Sequence, residues 1–319
     1  MENILEVRDL AVEYRTDGKV VKAVNGITFD LPYGKTLGIV GETGAGKTTL
    51  ALSIMGLVPE PAGRITGGSI VFEGQELIGR PDKDLRGIRG NKISMIFADP
   101  MTALNPIMRV GEQIEEVIVQ HQKISAKDAQ EKAMEMLEMV GIPAARSMEY
   151  PHQFSGGMKQ RVVIAMALAC APELLLADEP TTALDVTIQA QILEMMKELK
   201  SSLNTSMILI THDLGVVAEI CDMVAIVYAG EIVEFGPIGE IYNDPRHPYT
   251  IGLFQSIPSL DEDVERLIPI PGLMPDPTDL PSGCPFWPRC AYAEERCRKS
   301  APPVSEKAPG HFSKCFRAD

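Results

Sequence analysis

The sequence predicts an α/β protein built on a largely parallel sheet, joined to a small irregular module rich in proline and cysteine. Three observations predict it. From the start of the chain to about residue 245, short apolar runs alternate with amphipathic stretches, as strands and helices do in succession. Within residues 36–57 a glycine-rich turn joins an apolar run to a stretch of helical spacing. Beyond Pro245 the composition changes: residues 257–319 hold 11 of the 24 prolines, and four of the six cysteines lie in the last 36 residues.

In chain order, residues 4–12 and 27–31 read as short strands, and 36–40 as a strand running into the glycine-rich turn. Residues 47–57 carry apolar side chains at helical spacing, and 69–72 and 92–97 read as further strands. Residues 107–140 have helical periodicity and no strand signal. Residues 155–171 read as a helix with a glycine-rich cap. Residues 174–177 and 207–210 read as short strands, with the amphipathic stretch 188–199 between them. Methionines at 134–139 and 195–196 sit at helical spacing and read as core filler.

The chain has 319 residues, 45% hydrophobic and 23% charged, a globular balance for one large domain and a small module. The division falls between 1–244 and 245–319. Lys and Arg number 30 against 44 Asp and Glu, a net charge of −14. That balance argues against nucleic acid as a partner, because phosphate backbones are held by basic surfaces. The longest apolar run, residues 162–171, is well short of the roughly 20 that a membrane-spanning helix needs. The start, MENILEVRDL, carries acids and no apolar core, unlike a signal peptide, so a cytoplasmic chain is expected. In a reducing compartment the four clustered cysteines fit a metal site better than disulfides, whereas Cys170 and Cys221 stand alone in apolar surroundings.

Gly41-Glu42-Thr43-Gly44-Ala45-Gly46-Lys47-Thr48, followed by Thr49, fits G-x-x-x-x-G-K-[ST] between a strand and a helix. Glycines let backbone N–H groups turn inward around phosphates, and the helix N-terminus adds its dipole. Lys47 is expected to reach the β- and γ-phosphates of a nucleotide, and the Thr48 hydroxyl to ligate Mg²⁺. The apolar run 174–177 ends in Asp178 and Glu179. Downstream of a phosphate loop, Asp178 is placed to hold Mg²⁺ through water, and Glu179 to polarise an attacking water as general base.

Phe154-Ser155-Gly156-Gly157-Met158-Lys159-Gln160-Arg161 precedes the acidic strand; Thr182-Ala183-Leu184-Asp185 and Thr211-His212-Asp213 follow it. By itself Ser155-Gly156-Gly157 reads as a helix cap with donors free for an anion. Taken in this order over residues 4–245, the motifs resemble the ATP-binding-cassette (ABC) ATPases. The resemblance implies a P-loop nucleotide-binding domain with a RecA-like core, an antiparallel β subdomain and a helical subdomain at residues 98–160. It implies that two cassettes sandwich two nucleotides, with Ser155, Gly156 and Gly157 on the γ-phosphate of the ATP held by the opposite subunit. Asp185 then lines the dimer interface, and His212 contacts the γ-phosphate. Tyr14 fits the aromatic that stacks on adenine, and Val24 a ribose contact. One position departs from the family: in Met95-Ile96-Phe97-Ala98-Asp99-Pro100, Ala98 stands where a Gln usually helps ligate Mg²⁺ or the attacking water. Weaker hydrolysis or looser coupling is the expectation.

Asp99-Pro100-Met101-Thr102-Ala103-Leu104-Asn105-Pro106, Tyr150-Pro151-His152-Gln153-Phe154-Ser155-Gly156-Gly157 and Arg246-His247-Pro248-Tyr249-Thr250 are similar to stretches in the ATPase subunits of dipeptide and oligopeptide importers, and nickel importers share them. That resemblance implies an ATPase at the inner face of the cell membrane. Its partners are a second ATPase subunit (a paralogue, or another copy), two membrane permeases and an external substrate-binding protein in the same system. Nickel or oligosaccharide import is the alternative cargo, and a soluble ABC ATPase the alternative role. The tail reads Cys284-x5-Cys290-x6-Cys297-x17-Cys315, unlike the tight pair of common zinc sites or a ferredoxin run. Four thiolates hold either Zn²⁺ or a 4Fe-4S cluster. The resemblance to dipeptide-importer ATPases with an iron–sulfur tail favours the cluster, in a structural role, with His311 as a substitute ligand or a solvated residue.

Overall fold

The first strand runs further than its apolar stretch suggests. In the computed structural model, which describes residues 2–182, 184–256 and 269–317, it spans Asn3–Thr16, and the next spans Lys19–Pro32. Asp17 and Gly18 between them both have positive φ, 50° and 76°, the backbone of a tight Asp-Gly hairpin turn. Along the second strand Ile27, Phe29 and Leu31 alternate into the core.

The chain forms two compact units. One holds Leu5–Asp30, Leu37–Phe72 and the described residues from Thr211 onward; the other holds Leu31–Thr36, Glu73–Ile210 and the extreme N-terminal residues. In the first, Asn3–Thr16 also pairs antiparallel with Gly63–Phe72, with Tyr14 opposite Gly63. A second sheet runs in the order Ser305–Ala308, His311–Ser313, Glu231–Pro237, Met223–Tyr228, Thr36–Val40. Met223–Tyr228 is parallel to Thr36–Val40 and antiparallel to Glu231–Pro237. Ala229 and Gly230 close that hairpin at φ 50° and 80°. The sequence reading has no strands here. Ala-Gly is a weaker turn signal than Asn-Gly, and the tail strands, four and three residues long, exist through pairing such as Phe235 opposite Phe312. Leu37, Ile39, Val40 and Val224 to Val227 are buried, each large side chain stabilising the fold by about 1.5–3 kcal/mol.

The other unit carries three parallel strands side by side, Ile93–Ile96, Leu174–Asp178 and Ser206–Thr211. Every residue of Leu174–Asp178 is buried, as a parallel strand covered on both faces requires. The stretch 107–140 is two helices, Val110–His121 and Ala126–Met139; Ser125 caps the second, its Oγ accepting from Asp128 N at 3.2 Å. The helix expected over 155–171 spans Gly156–Leu168, and Ala171 has φ 49°. A longer one than expected, Val186–Leu203, follows. Met136, Met195 and Met196 do fill core, while Met139 is 41% exposed. No described helix is long and apolar enough to cross a membrane.

Candidate functional site

In the first unit, strand Thr36–Val40 delivers the chain into the glycine-rich loop and helix Lys47–Ile54 leaves it. Gly41 and Gly46 are required by space. A Cβ on Gly41 would sit 2.2 Å from Val227 O; one on Gly46, whose φ is 103°, would sit 2.3 Å from Ala23 O. The Ala229-Gly230 turn braces the loop: Gly230 N donates to Ala45 O at 2.9 Å, and Gly230 O accepts from Asn25 N at 2.7 Å. The buried Lys47 ammonium donates to Gly41 O and Glu42 O at 2.7 and 3.0 Å. A phosphate seated in the loop competes with these carbonyls for the same ammonium. Thr43, Gly44 and Thr48 are exposed.

Tyr14 rests on Gly63, where a Cβ would come within 2.6 Å of its ring, and its hydroxyl lies 3.4 Å from Thr49 Oγ1. Val24 is a correction. It is 1% exposed, so its side chain belongs to the core and offers a ribose no surface. His212 is exposed. Beside it, the Asp213 carboxylate accepts from Gly215 N and Val216 N at 2.8 and 3.2 Å and so caps helix Leu214–Ile220.

Glu42 has partners that the sequence reading does not find. Its N–H donates to the Tyr249 hydroxyl at 3.0 Å, and its carboxylate accepts from Arg289 Nη1 at 2.9 and 3.2 Å. Glu42 occupies a wild-card position of the phosphate motif, and Arg289 lies 247 residues away, so no local pattern links them.

The second unit holds the acidic pair. Asp178 is buried at its strand end. Glu179 follows at φ 47°, a left-handed backbone that non-glycine residues rarely adopt and that gathers at functional turns. Its N–H donates to Ile210 O at 2.9 Å, and its carboxylate accepts from Thr182 Oγ1 at 2.9 Å. Ser155 caps helix Gly156–Leu168 and leaves Gly156 exposed at the helix start. The loop before it is clamped by Arg146, which donates to Glu149 Oε2 at 2.9 and 2.6 Å and to Gln153 O at 3.2 Å, with its guanidinium 4.5 Å above the Phe154 ring. Asp185 caps Val186–Leu203, Oδ1 accepting from Ile188 N at 3.0 Å; Ala183 of the same motif lies outside the described residues. Asp99 does not stand in for the Gln missing at Ala98. Its carboxylate is taken up by Met101 N at 2.8 Å and Thr102 Oγ1 at 3.1 Å, which start helix Pro100–Ala103.

Cys284, Cys290, Cys297 and Cys315 line one cavity of about 20 Å³, with Phe286, Trp287 and His247 in its wall, room for about one water. Burial pushes the Cys284 thiol up to about 11, and those of Cys290 and Cys315 also upward, with neighbouring thiols adding to each. Among the described residues, no three or more His, Cys, Asp or Glu side chains are arranged to hold a metal ion. His311 is neither solvated nor directed to the cysteines: it is buried, with Nε2 2.8 Å from Glu234 Oε1. Glu234 also accepts from Arg246 N and His247 N at 2.7 and 2.9 Å.

Two family models match the chain, one described as "ABC transporter" over residues 24–182 and one as "Oligopeptide/dipeptide transporter, C-terminal region" over 233–297. The chain is 52% identical to the oligopeptide transport ATP-binding protein of Bacillus subtilis over 98% of its length and 88% of that protein. It is 50% identical to the dipeptide transport ATP-binding protein of the same organism, over 100% of this chain and 96% of that one. Among solved structures, a dimeric bacterial ABC transporter cassette superposes with a TM-score of 0.66 at 26% identity, covering 73% of this chain and 98% of the cassette. A Clostridium perfringens protein, part of an ABC transporter complex, matches with the same TM-score at 25% identity, over 79% of this chain and 96% of its own. At such identity over nearly its full length, the chain belongs to the oligopeptide/dipeptide family of ABC transporter ATP-binding proteins, with the P-loop ABC ATPase fold and the ATPase activity of that family.

Proposed function

We propose that this chain hydrolyses ATP to power import of dipeptides or oligopeptides, as one of two cassettes working on two membrane permeases at the inner face of the cell membrane, with an external binding protein delivering cargo. Residues 1–244 are then the motor, with a helical subdomain at 98–160, and 245–319 the importer-type extension. The carrying observation is the loop 41–46: two glycines wedged against carbonyls, a helix starting at its end, and a buried lysine folded over it. The cargo rests on the names of the relatives and on the match to residues 233–297.

In this reading Lys47 exchanges the carbonyls of Gly41 and Glu42 for phosphate oxygens, and the loop N–H groups donate beside it. Tyr14 offers its ring to adenine. Thr48 and Asp178 are the residues that would hold Mg²⁺, which supplies charge neutralisation of the phosphates. Ser155, Gly156 and Gly157 of the opposite subunit close on the γ-phosphate, His212 touches it, and Asp185 lies at the junction of the cassettes. Moving such a pair from 1:99 to 99:1 closed takes ~5.5 kcal/mol of differential affinity, which the shared phosphate supplies. Glu179 accepts the proton of the attacking water. Cleavage removes the shared contact, and the cassettes part. Exposed Met101, Ile107 and Met148 offer the helical subdomain's apolar contact to a permease.

The four-cysteine cavity is read as a 4Fe-4S site, with Zn²⁺ as the alternative. Four thiols lining one cavity support metal chemistry. Iron, sulfide and zinc analysis of anaerobically purified protein separates the two. About four irons and four sulfides per chain support the cluster, and zinc alone the metal knot.

The functional test is ATP hydrolysis by the transporter assembled in lipid vesicles. Peptide-loaded binding protein is expected to raise turnover. Stimulation by nickel or oligosaccharide instead moves the cargo; turnover that ignores the permeases takes the chain out of transport.

A further inference from the structure

We propose that Arg289 is a positioning residue for nucleotide: it neutralises Glu42 and fixes the entrance of the phosphate loop, so that nucleotide affinity depends on the cysteine-bearing tail. The inference rests on reading residues 41–48 as the nucleotide loop. Glu42 is the second residue of that loop, and its side chain is 33% exposed, so water screens its charge only in part. A bare carboxylate at that position repels a triphosphate. Arg289, 6% exposed, removes the charge by donating Nη1 to both carboxylate oxygens.

The guanidinium is itself held. Nε donates to Pro271 O at 2.8 Å, and Nη1 lies 3.4 Å from the Tyr228 hydroxyl. Tyr228 follows Val227, the residue whose carbonyl leaves Gly41 no room for a side chain. Its ring packs 4.7 Å from Tyr249 and 5.2 Å from Phe286. Tyr249 takes the Glu42 N–H, so both the backbone and the side chain of Glu42 are engaged by residues after position 245. Arg289 rides on a run of turns between Cys284 and Cys290: Trp287 N donates to Cys284 O at 3.1 Å, Arg289 N to Phe286 O at 3.0 Å, and Cys290 N to Trp287 O at 3.3 Å. The four-cysteine segment and the phosphate loop are thus joined by one half-buried ion pair and one cluster of tilted and edge-on rings. Removing only one member of such a pair leaves its partner's charge uncompensated.

The test is Mg-ATP titration and steady-state hydrolysis with the full chain in its assembled transporter, comparing wild type with R289M, R289K, E42Q, R289M/E42Q and K47A. R289M is expected to raise KM for ATP about tenfold while changing kcat far less, and R289K to recover most of that loss. E42Q alone is expected to bind ATP about two- to threefold more tightly. R289M/E42Q is expected to return to within about threefold of wild type, because the unpaired carboxylate is gone. Such suppression does not arise if R289M merely loosens the tail. ATP binding by R289M at wild-type strength, or by the double variant as weakly as by R289M, overturns the proposal. If R289M fails to fold, a tenfold loss of affinity in E42Q overturns it. K47A binding ATP like wild type overturns the nucleotide-loop reading and this inference with it; the Arg289 results bear on this inference alone.

Discussion

Single positions carry the chemistry through backbone shape and burial. Glu179 holds a left-handed φ of 47°, a conformation that costs a non-glycine residue on the order of 1 kcal/mol and persists because the surrounding bonds fix it. Ala98 offers no donor or acceptor side chain where the family's Gln acts, and Asp99 beside it is spent on Met101 and Thr102. Ala98→Gln is therefore expected to raise ATP turnover, and unchanged turnover and affinity count against this account of the position. His247 is fully buried, its pKa lowered by burial to about 3, and its Nδ1 accepts from Tyr249 N at 3.1 Å, so the ring stays neutral in the fold. The unfolded chain takes up that proton near 6.5, so stability drains away as pH falls from 6.5 toward 3. Between pH 7.5 and 5.0 this one group should cost about 2 kcal/mol of unfolding free energy. His247→Asn keeps a helix cap and should shrink the pH difference in urea unfolding by about that amount; an unchanged difference refutes the assignment.

Elements were legible where the physics is local. The run 174–177 is apolar throughout because both faces of its strand are covered, and that shows in the sequence. The loop 41–46 was legible because glycine spacing dictates its backbone. What a local pattern could not supply was pairing: the strand at His311–Ser313 exists through contact with Glu231–Pro237, and the Glu42–Arg289 pair through contacts spanning the chain. Val24 was misjudged because a motif position does not reveal burial. In the helical segment, Ile107 is 83% and Met101 61% exposed, a cost in water that a partner surface would remove. Replacing both with Asp should weaken co-purification with the permeases while leaving ATP binding by the chain intact; undiminished co-purification places the contact elsewhere.

For the molecule as a whole, the net charge of −14 repels polyanions, so holding a nucleotide falls to local groups such as the Lys47 ammonium. The phosphate loop and His212 belong to one compact unit, and Asp178, Glu179 and Ser155 to the other. In the proposed cycle ATP closes a pair of cassettes, and hydrolysis at Glu179 reopens it. The most direct measurement compares wild type with Glu179→Gln for ATP turnover and for ATP-dependent association of the cassette pair. Glu179→Gln is expected to bind ATP still, to lose turnover by at least about a hundredfold, and to accumulate as a stable closed pair. Normal turnover in Glu179→Gln, or no ATP-dependent association, contradicts that cycle.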